Sequence, residues 1–438
     1  MSRYKRRILV VGTTQDYIDY INKEMPNRAV FLTLVDRNAN VDFCHIDSDI
    51  ELLCSLDDEQ FIIEQLEDFL CKNGIVLNGV TCFDCESLLL ASSIAKHWML
   101  PFPLRRTILY CRDKYLTNIL LRSHGLACPR SCYVHSVGDI LNFIEKVGGP
   151  VVIKPIAGTG SEFTFKCLTP EEGISAYRMI LKGIIEQRLN KGINFNKFAI
   201  ACEEFISGDE YSCDVYFEAG TAHILRIAKK YFEDGLPFGS VRAYEIPAVL
   251  PASIKAEYLK YSLEVAASAL GFNHNVFMVD FICCDSQIYF LEMSPRPGGD
   301  CLPLLIKHSC GTDMLAMMLD LAEGIVPSMP PVESWAQLIG VKIYTDVPGR
   351  LISIDVKTSD WDENIKELFW IRHTGDILQV PPIDYSSWLL GYVIFSPKVN
   401  IPIDEQICSV AHCIRPNIIP TGYNQYCYYN EQIDTSPI

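Results

Sequence analysis

A multidomain α/β chain is what the sequence predicts, on three observations. Apolar strand-like runs alternate with helical spacing over the first ~105 residues, which calls for parallel pairing through crossover helices. A central stretch, 106–332, mixes capped helices, apolar strands and small glycine-bearing turns. After Pro327, Pro330 and Pro331 the composition shifts to short β-like runs, so 333–438 reads as a third, separate, mostly β unit. A chain of 438 residues fits such a division, since one domain takes roughly 100–200 residues.

Composition narrows the classes. Hydrophobic residues are 49% and charged residues 21%, an ordinary globular balance that argues against disorder. Lys and Arg number 38 against 54 Asp and Glu, giving a net charge of −16. That field repels a phosphate backbone and disfavours nucleic acid, while leaving room for a small phosphate ligand held by local cations. No apolar run approaches the ~20 residues of a membrane span. The basic start, MSRYKRRILVVG, has too short an apolar run for a leader and reads as a first strand. Eighteen cysteines fall well under the ~8–10% of a disulfide scaffold. They read as reduced cytoplasmic thiols, and the lone Cys82–Cys85 CxxC lacks the second pair that a structural zinc needs.

The elements follow in order. Arg7–Val11, Val30–Val35 and Gly74–Val80 are apolar strands. Phe61, Ile62, Leu66, Phe69 and Leu70 share one helical face, and a second helix runs from Glu86 to about His97. The turn after the first strand, Gly12-Thr13-Thr14-Gln15, is not GxGxxG, so a dinucleotide fingerprint is absent. Asp113 caps a helix that ends near Gly125. Thr169-Pro170-Glu171-Glu172 is a capping box with proline at the first helical position. Strands are expected at Phe198–Cys202, Tyr211–Phe217, Ala222–Ile227, Val276–Cys283 and Ile288–Glu292, with a helix over Ile254–Leu270 closed by Gly271.

Three segments carry chemistry. Lys154 ends a buried strand and the small loop Pro155–Ser161 follows, with Gly158, Gly160 and Ser161. Close backbone N–H groups and a point charge suit the phosphates of ATP, although no GK[ST] of a Walker loop follows. Glu203-Glu204-Phe205-Ile206 leads through Ser-Gly-Asp to Glu210, and carboxylates there suit the amino and hydroxyl donors of a nucleoside. Asp280 and Glu292 end adjacent apolar strands. Side by side they repel unless Mg²⁺ joins them, an ion that takes carboxylates plus phosphates. Arg296, inside Ser294-Pro295-Arg296-Pro297-Gly298-Gly299-Asp300, suits forked contact with an anion. Taken one at a time, each segment is also what a solvated strand end, a solvated hairpin or a pair of opposed side chains looks like.

In order and spacing, the set resembles the ATP-grasp superfamily from about Asp113 to about Leu321. The resemblance implies an ATP-grasp fold: an N-terminal parallel α/β domain over 1–105, a two-lobed central domain with its small lobe at about 126–205, and a mostly β C-terminal unit. It implies that Lys114 and Lys154 hold the α- and β-phosphates and that the Gly160–Ser161 flap covers the γ-phosphate. Glu203 would meet the adenine amino group and the backbone of Ile206 a ring nitrogen, Glu204 and Phe205 would belong to the same nucleotide-binding set, and Glu210 would bind the ribose. Lys230 is a further phosphate contact. Asp280, Glu292 and Ser294 would bind two Mg²⁺ ions, with Mn²⁺ an alternative occupant. Arg296 and Lys154 would carry catalysis on the transferred phosphoryl. Two departures stand out: Ser294 where the family usually has Asn, and Phe163 where the flap usually has a second glycine.

The Ser294–Asp300 run is similar to that of carboxylate–amine ligases of the L-amino-acid (dipeptide) ligase type. This implies activation of a carboxylate as an acyl phosphate, then amide formation with an amine, both substrates being small molecules. A homodimer is common in the family. Biotin carboxylase and its relatives share much of the layout and are the second reading, a non-catalytic nucleotide-binding module the third. His223, His274 and His308 are candidate bases for the incoming amine, with a structural role the alternative for each.

Overall fold

The computed structural model describes residues 5–35, 44–46, 48–55, 58–156, 158, 160–191, 199–357 and 364–420. Phe198, named above as a strand start, and Ala157 and Thr159 of the loop Pro155–Ser161 lie outside them, as do residues 421–438.

The chain opens with β1 (Lys5–Val11), α1 (Gln15–Glu24), β2 (Ala29–Val35), β3 (Cys44–Ile46), β4 (Glu51–Ser55), α2 (Glu59–Asn73), β5 (Ile75–Thr81) and α3 (Leu88–His97). The strands form one sheet in the order β3-β4-β2-β1-β5, parallel except at β3. Alternation explains the continuous apolar runs. Leu9, Val11, Val30 and Leu32 pack on α2 and α3, whereas Ile8, Val10 and Phe31 pack on α1 and on a helix from far along the chain. A sheet buried on both faces has no polar side to show.

Next come α4 (Arg105–Arg112), α5 (Lys114–Ser123), β6 (Ser131–Val134), α6 (Val137–Val147), β7 (Val151–Pro155), β8 (Phe165–Cys167), α7 (Pro170–Lys191) and β9 (Ile200–Glu204). Asp113 caps α5 by accepting from Leu116 N. At α7 the Thr169 hydroxyl accepts from Glu172 N at 3.2 Å, but the Glu172 carboxylate reaches back to Leu168 N, one residue beyond a capping box. β6-β9-β7-β8 make a four-stranded antiparallel sheet covered by α6 and α7.

The remainder is β10 (Asp209–Glu218), β11 (Thr221–Phe232), β12 (Val241–Ile246), α8 (Ala256–Leu270), β13 (Asn275–Cys284), β14 (Gln287–Ser294), α9 (Leu302–Cys310), α10 (Met314–Ala322), β15 (Leu338–Tyr344), β16 (Gly349–Val356), β17 (Ile365–Trp370), β18 (Ile377–Leu378), β19 (Leu389–Phe395), α11 (Ile403–His412) and β20 (Ile414–Ile419). Eight strands form one antiparallel sheet, β14-β13-β10-β11-β12-β15-β19-β17. The residues after 333 therefore do not keep to a sheet of their own. β15 pairs with β12 through Tyr244↔Gly340 and Glu245↔Ile339, and only β18-β16-β20 stand apart. Pro327–Pro331 marks a change of partner, because apolar β15 completes the open edge of β12. One face of the large sheet, through Tyr211, Cys213, Val215 and Phe281, packs on α8. Among the described residues no helix is long and apolar enough to cross a membrane.

Candidate functional site

The opposite face of the large sheet carries the polar residues, set there by the strand period of two. Glu210, Ser212 and Asp214 on β10 stand beside Lys230, Ala228 and Arg226 on β11, and beside Asp280 on β13. Asp280 lies directly opposite Glu292 of β14, and Met278 opposite Ser294. The two carboxylates thus share a face on neighbouring strands.

Each anionic group is answered by a lysine. Lys230 Nζ lies 2.7 Å from both Glu210 and Asp280, with its own side chain only 6% exposed. Lys114, at the start of α5, reaches Glu292 at 3.3 Å and the carbonyl of Gly158 at 3.4 Å. Lys154 meets Glu203 at 2.6 Å across the β7–β9 ladder, where Lys154 pairs with Ala201 and Glu203 stands two residues on, on the same side. Burial pushes the Glu292 carboxyl up, but Lys114, Lys154 and Arg112 outweigh it and hold the group below the usual range. Burial lifts the Glu210 carboxyl, Asp280 adds to the rise, and Lys230 offsets only part of it. Burial alone would lower the Lys230 ammonium, but Asp280 and Glu210 hold it raised.

Two buried acceptors in this cleft have no hydrogen-bond partner, Asp280 Oδ1 and Asn118 Oδ1. An unmade bond of this kind is costly and points to a ligand group. Asn118 is a site residue that sequence reasoning missed. It sits one turn after Lys114 on α5 and donates weakly to Glu203, at 3.5 Å. Its i, i+4 spacing from Lys114 was the available signal.

The flap is tied down. Ser161 donates to the carbonyl of Gly239 at 2.8 Å. Phe163 is buried in the small-lobe core, its ring against Gly183 of α7, where a Cβ would lie 2.2 Å from it. The departure at Phe163 thus anchors the loop to a helix. Phe205 is covered by the Lys166 ammonium, 3.8 Å above its ring, and stands edge-on to Phe238; Ile206 follows half-buried in the link from β9 to β10.

Glu204 does not join the group. Successive strand residues face opposite ways, so Glu203 turns into the cleft and Glu204 turns out, where Arg130 Nε holds it at 2.8 Å. The Arg130 bond accordingly keeps the Glu204 carboxyl low. The histidines do not reach the cleft either: His274 pairs with Glu218, His308 with Glu367, and His223 lies exposed.

The loop after β14 is built around a buried ion pair that the sequence reading passed over. Arg226 clasps Asp214 through Nε at 2.7 Å and Nη2 at 3.0 Å, both side chains fully buried, and Asp214 also accepts from Gly298 N at 2.8 Å. Gly298 must be glycine, since a Cβ there would sit 2.2 Å from Arg226 Nη2. Arg296, two residues earlier, donates through Nε to Cys85 Sγ at 2.9 Å, and Cys85 lies 3.4 Å from Ser294. Cys82 and Cys85 are free and buried, but Cys85 is no inert bystander, because it touches two of the expected site residues. Asp300, which ends the run, accepts from Tyr244 at 2.9 Å and from Lys342 at 2.8 Å. Burial raises its carboxyl, and Lys342, Tyr244 and Arg296 bring it below the ordinary range. Lys342 comes from β15, within the stretch expected to stand apart.

Among the described residues no group of three or more His, Cys, Asp and Glu is arranged around a metal. The pair Asp280–Glu292 nevertheless fits Mg²⁺. That ion needs only one or two carboxylates beside phosphate oxygens and water, and Asp280 keeps one oxygen without a partner.

A family model described as an ATP-grasp domain matches residues 147–303. The D-alanine–D-alanine ligase of Delftia acidovorans is 26% identical over 200 residues, covering 42% of this chain and 55% of that protein. That of Cupriavidus metallidurans is 25% identical over 237 residues, covering 51% and 66%. The chain thus spans between about half and two thirds of the length of these curated relatives. Among solved structures, the L-amino acid ligase of Bacillus licheniformis superposes with a TM-score of 0.72 at 19% identity, over 94% of this chain and 99% of that one. At that identity the likeness speaks for the fold.

Proposed function

We propose that this chain, which carries an ATP-grasp domain and has the ATP-grasp fold, is an ATP-dependent carboxylate–amine ligase. The observation that carries the reading is the Asp280–Glu292 pair, opposed in register, with Asp280 Oδ1 unpartnered, Lys230 on Asp280 and Lys114 on Glu292.

In this reading ATP lies between the two antiparallel sheets. Lys114 and Lys154 exchange their carboxylate partners for the α- and β-phosphates, and Lys230 supports the phosphate tail. Glu203 and Asn118 take the adenine edge, the link through Phe205 and Ile206 lines the ring, and Glu210 takes the ribose. Asp280 and Glu292, with Ser294 beside them, would hold Mg²⁺, which when bound neutralises the phosphate oxygens. A second ion would have Ser294 as its ligand here, a short side chain already engaged with Cys85.

A carboxylate is a poor electrophile because oxide is a poor leaving group. Its oxygen attacks the γ-phosphorus, the bond to the β-phosphate oxygen breaks, and ADP leaves with the electron pair. Arg296 stabilises the charge on the acyl phosphate, and the Ser161–Gly239 tie keeps water out. An amine nitrogen then attacks the acyl carbon, the carbon–oxygen bond to phosphate breaks, and an amide forms. The amine proton needs an acceptor. Asp84, beside Arg296 and pushed up by burial, is the group with raised proton affinity there.

Purified protein with ATP, Mg²⁺ and pooled amino acids is expected to release phosphate and give new amide masses. Glu292→Gln should lower phosphate release by about 10²-fold or more. Release driven by bicarbonate alone would transfer the chain to the carboxylase reading. Nucleotide binding without turnover, and insensitive to Glu292→Gln, would make it a binding module.

A further inference from the structure

A cavity of about 350 Å³ lies beside Arg296, at the carboxyl ends of β1 and β5. That is the small end of the ~300–1,000 Å³ of ligand sites and suits one small molecule. Its walls are of two kinds. Tyr17, Phe83, Leu304, Phe369, Ile371 and Tyr392 line it. Tyr17 meets Phe83 edge-on at 5.6 Å, and Phe369 stacks on Tyr392 at 6.2 Å. Phe83, Leu304, Phe369 and Ile371 are only partly covered by their neighbours and contribute apolar surface to the cavity.

The charged part of the lining is mostly acidic: Asp16, Asp84, Glu86, Asp300 and Asp313 against Arg296 and Lys307. Lys307 is already drawn to Tyr20 and Asp313. Asp300 is held by Tyr244 and Lys342, and Asp84 by Ser87. Among the described residues the half-buried Asp16 carboxylate has no partner, and Arg296 leaves Nη2 without one, using Nε on Cys85 and Nη1 on the Pro297 carbonyl. Asp16, Asp300 and Arg296 line this one cavity together with the half-buried Tyr17.

We propose that this cavity binds the acid to be activated, and that the acid is an α-amino acid with a bulky apolar side chain. Its carboxylate meets Arg296, its ammonium meets Asp16, and its side chain lies among Tyr17, Phe83, Phe369 and Tyr392. The acidic excess rejects aspartate and glutamate. This rests on the ligase reading for the step that follows, not for the binding.

The experiment uses the full chain with ATP and Mg²⁺. L-Leucine, L-phenylalanine, L-alanine, L-glutamate and 4-methylpentanoate are offered in turn beside a fixed excess of hydroxylamine, which supplies the amine to every acyl phosphate, and are read by phosphate and hydroxamate release and by calorimetry. L-Leucine or L-phenylalanine is expected to lead in kcat/KM, with L-glutamate lowest. Phe83→Ala should raise KM for L-phenylalanine about tenfold or more, and that for L-alanine less. Asp16→Asn should narrow the kcat/KM ratio between L-leucine and 4-methylpentanoate about tenfold, a change that mere loss of packing would not select. Binding of L-leucine without turnover by any acid upholds the cavity assignment and removes the ligase reading. Turnover led by L-glutamate or L-alanine overturns the assignment and leaves the ligase reading in place. Absence of binding and turnover with all five acids overturns it as well.

Discussion

Without the Lys230 ammonium, Glu210 and Asp280 would stand buried with like charge and no cation between them. Stranding a buried charge costs about 3–5 kcal/mol. Lys230→Met is therefore expected to lower unfolding free energy by that order in urea at neutral pH; a loss under about 1 kcal/mol would reject the account. Asp300 yields a pH prediction. Its folded pKa is depressed, so its contribution is complete above the unfolded carboxylate value of about 3.9 and fades as pH falls through the lower folded value. The stability difference between wild type and Asp300→Asn should be flat at higher pH and shrink only in strongly acidic buffer, as read by thermal unfolding. At this scale the sequence was informative where the strand period could be applied. Asp280 and Glu292 were legible as the ends of two adjoining apolar runs, but a register shift between Asp280 and Phe281 is what brings them level, since the ladder from Cys284↔Gln287 would otherwise set Asp280 against Leu291. Glu204 was misread by overlooking that adjacent strand residues part company. Asp214, Arg226 and Lys342 were passed over because their partners lie on other strands, and register is not written locally.

Among the elements, the loop from Ser294 to Asp300 depends on what lies under it. Its two glycines differ: a Cβ at Gly298 meets Arg226 at 2.2 Å, whereas one at Gly299 finds only Arg296 Nη1 at 3.8 Å. Gly298→Ala should destabilise by about 1–3 kcal/mol and lower phosphate release with it. Gly299→Ala should cost under about 0.5 kcal/mol. Equal effects in parallel denaturation and activity measurements would refute the role given to Arg226. The elements with clear periodicity or caps, β1, α2, α5, α8 and β13, were readable. β3, β8 and β18 were not, since strands of two or three residues carry no period. Nor was α11, which lies in a stretch whose Gly and Pro content suggested strands throughout.

The whole molecule is joined through its largest sheet. β15 continues from β12, and Ala243, Ile339, Val341, Leu390 and Val393 share one core. A chain ending at 332 would leave β12 with an apolar open edge and Asp300 without Lys342. It is expected to be insoluble or to unfold without cooperativity, judged by protease resistance and thermal melting. A soluble, cooperatively melting fragment would show that residues 1–332 fold without the strand that β15 adds to β12. Layer order and the parallel start of the chain were visible in composition and punctuation. Which strand completes which edge was not, because that choice is made by distant apolar surfaces meeting.

Lys114, Lys154 and Lys230 already rest on Glu292, Glu203, Glu210 and Asp280. In the proposed reading, nucleotide entry is a change of partners rather than the filling of a waiting positive groove. Bare ATP would have to displace anions that gain nothing in return, and those anions would repel it. ATP carrying a divalent ion gives the released carboxylates a new counter-charge as it claims the ammonium groups. On that reading the cleft favours the metal-complexed nucleotide over the free one before any chemistry begins.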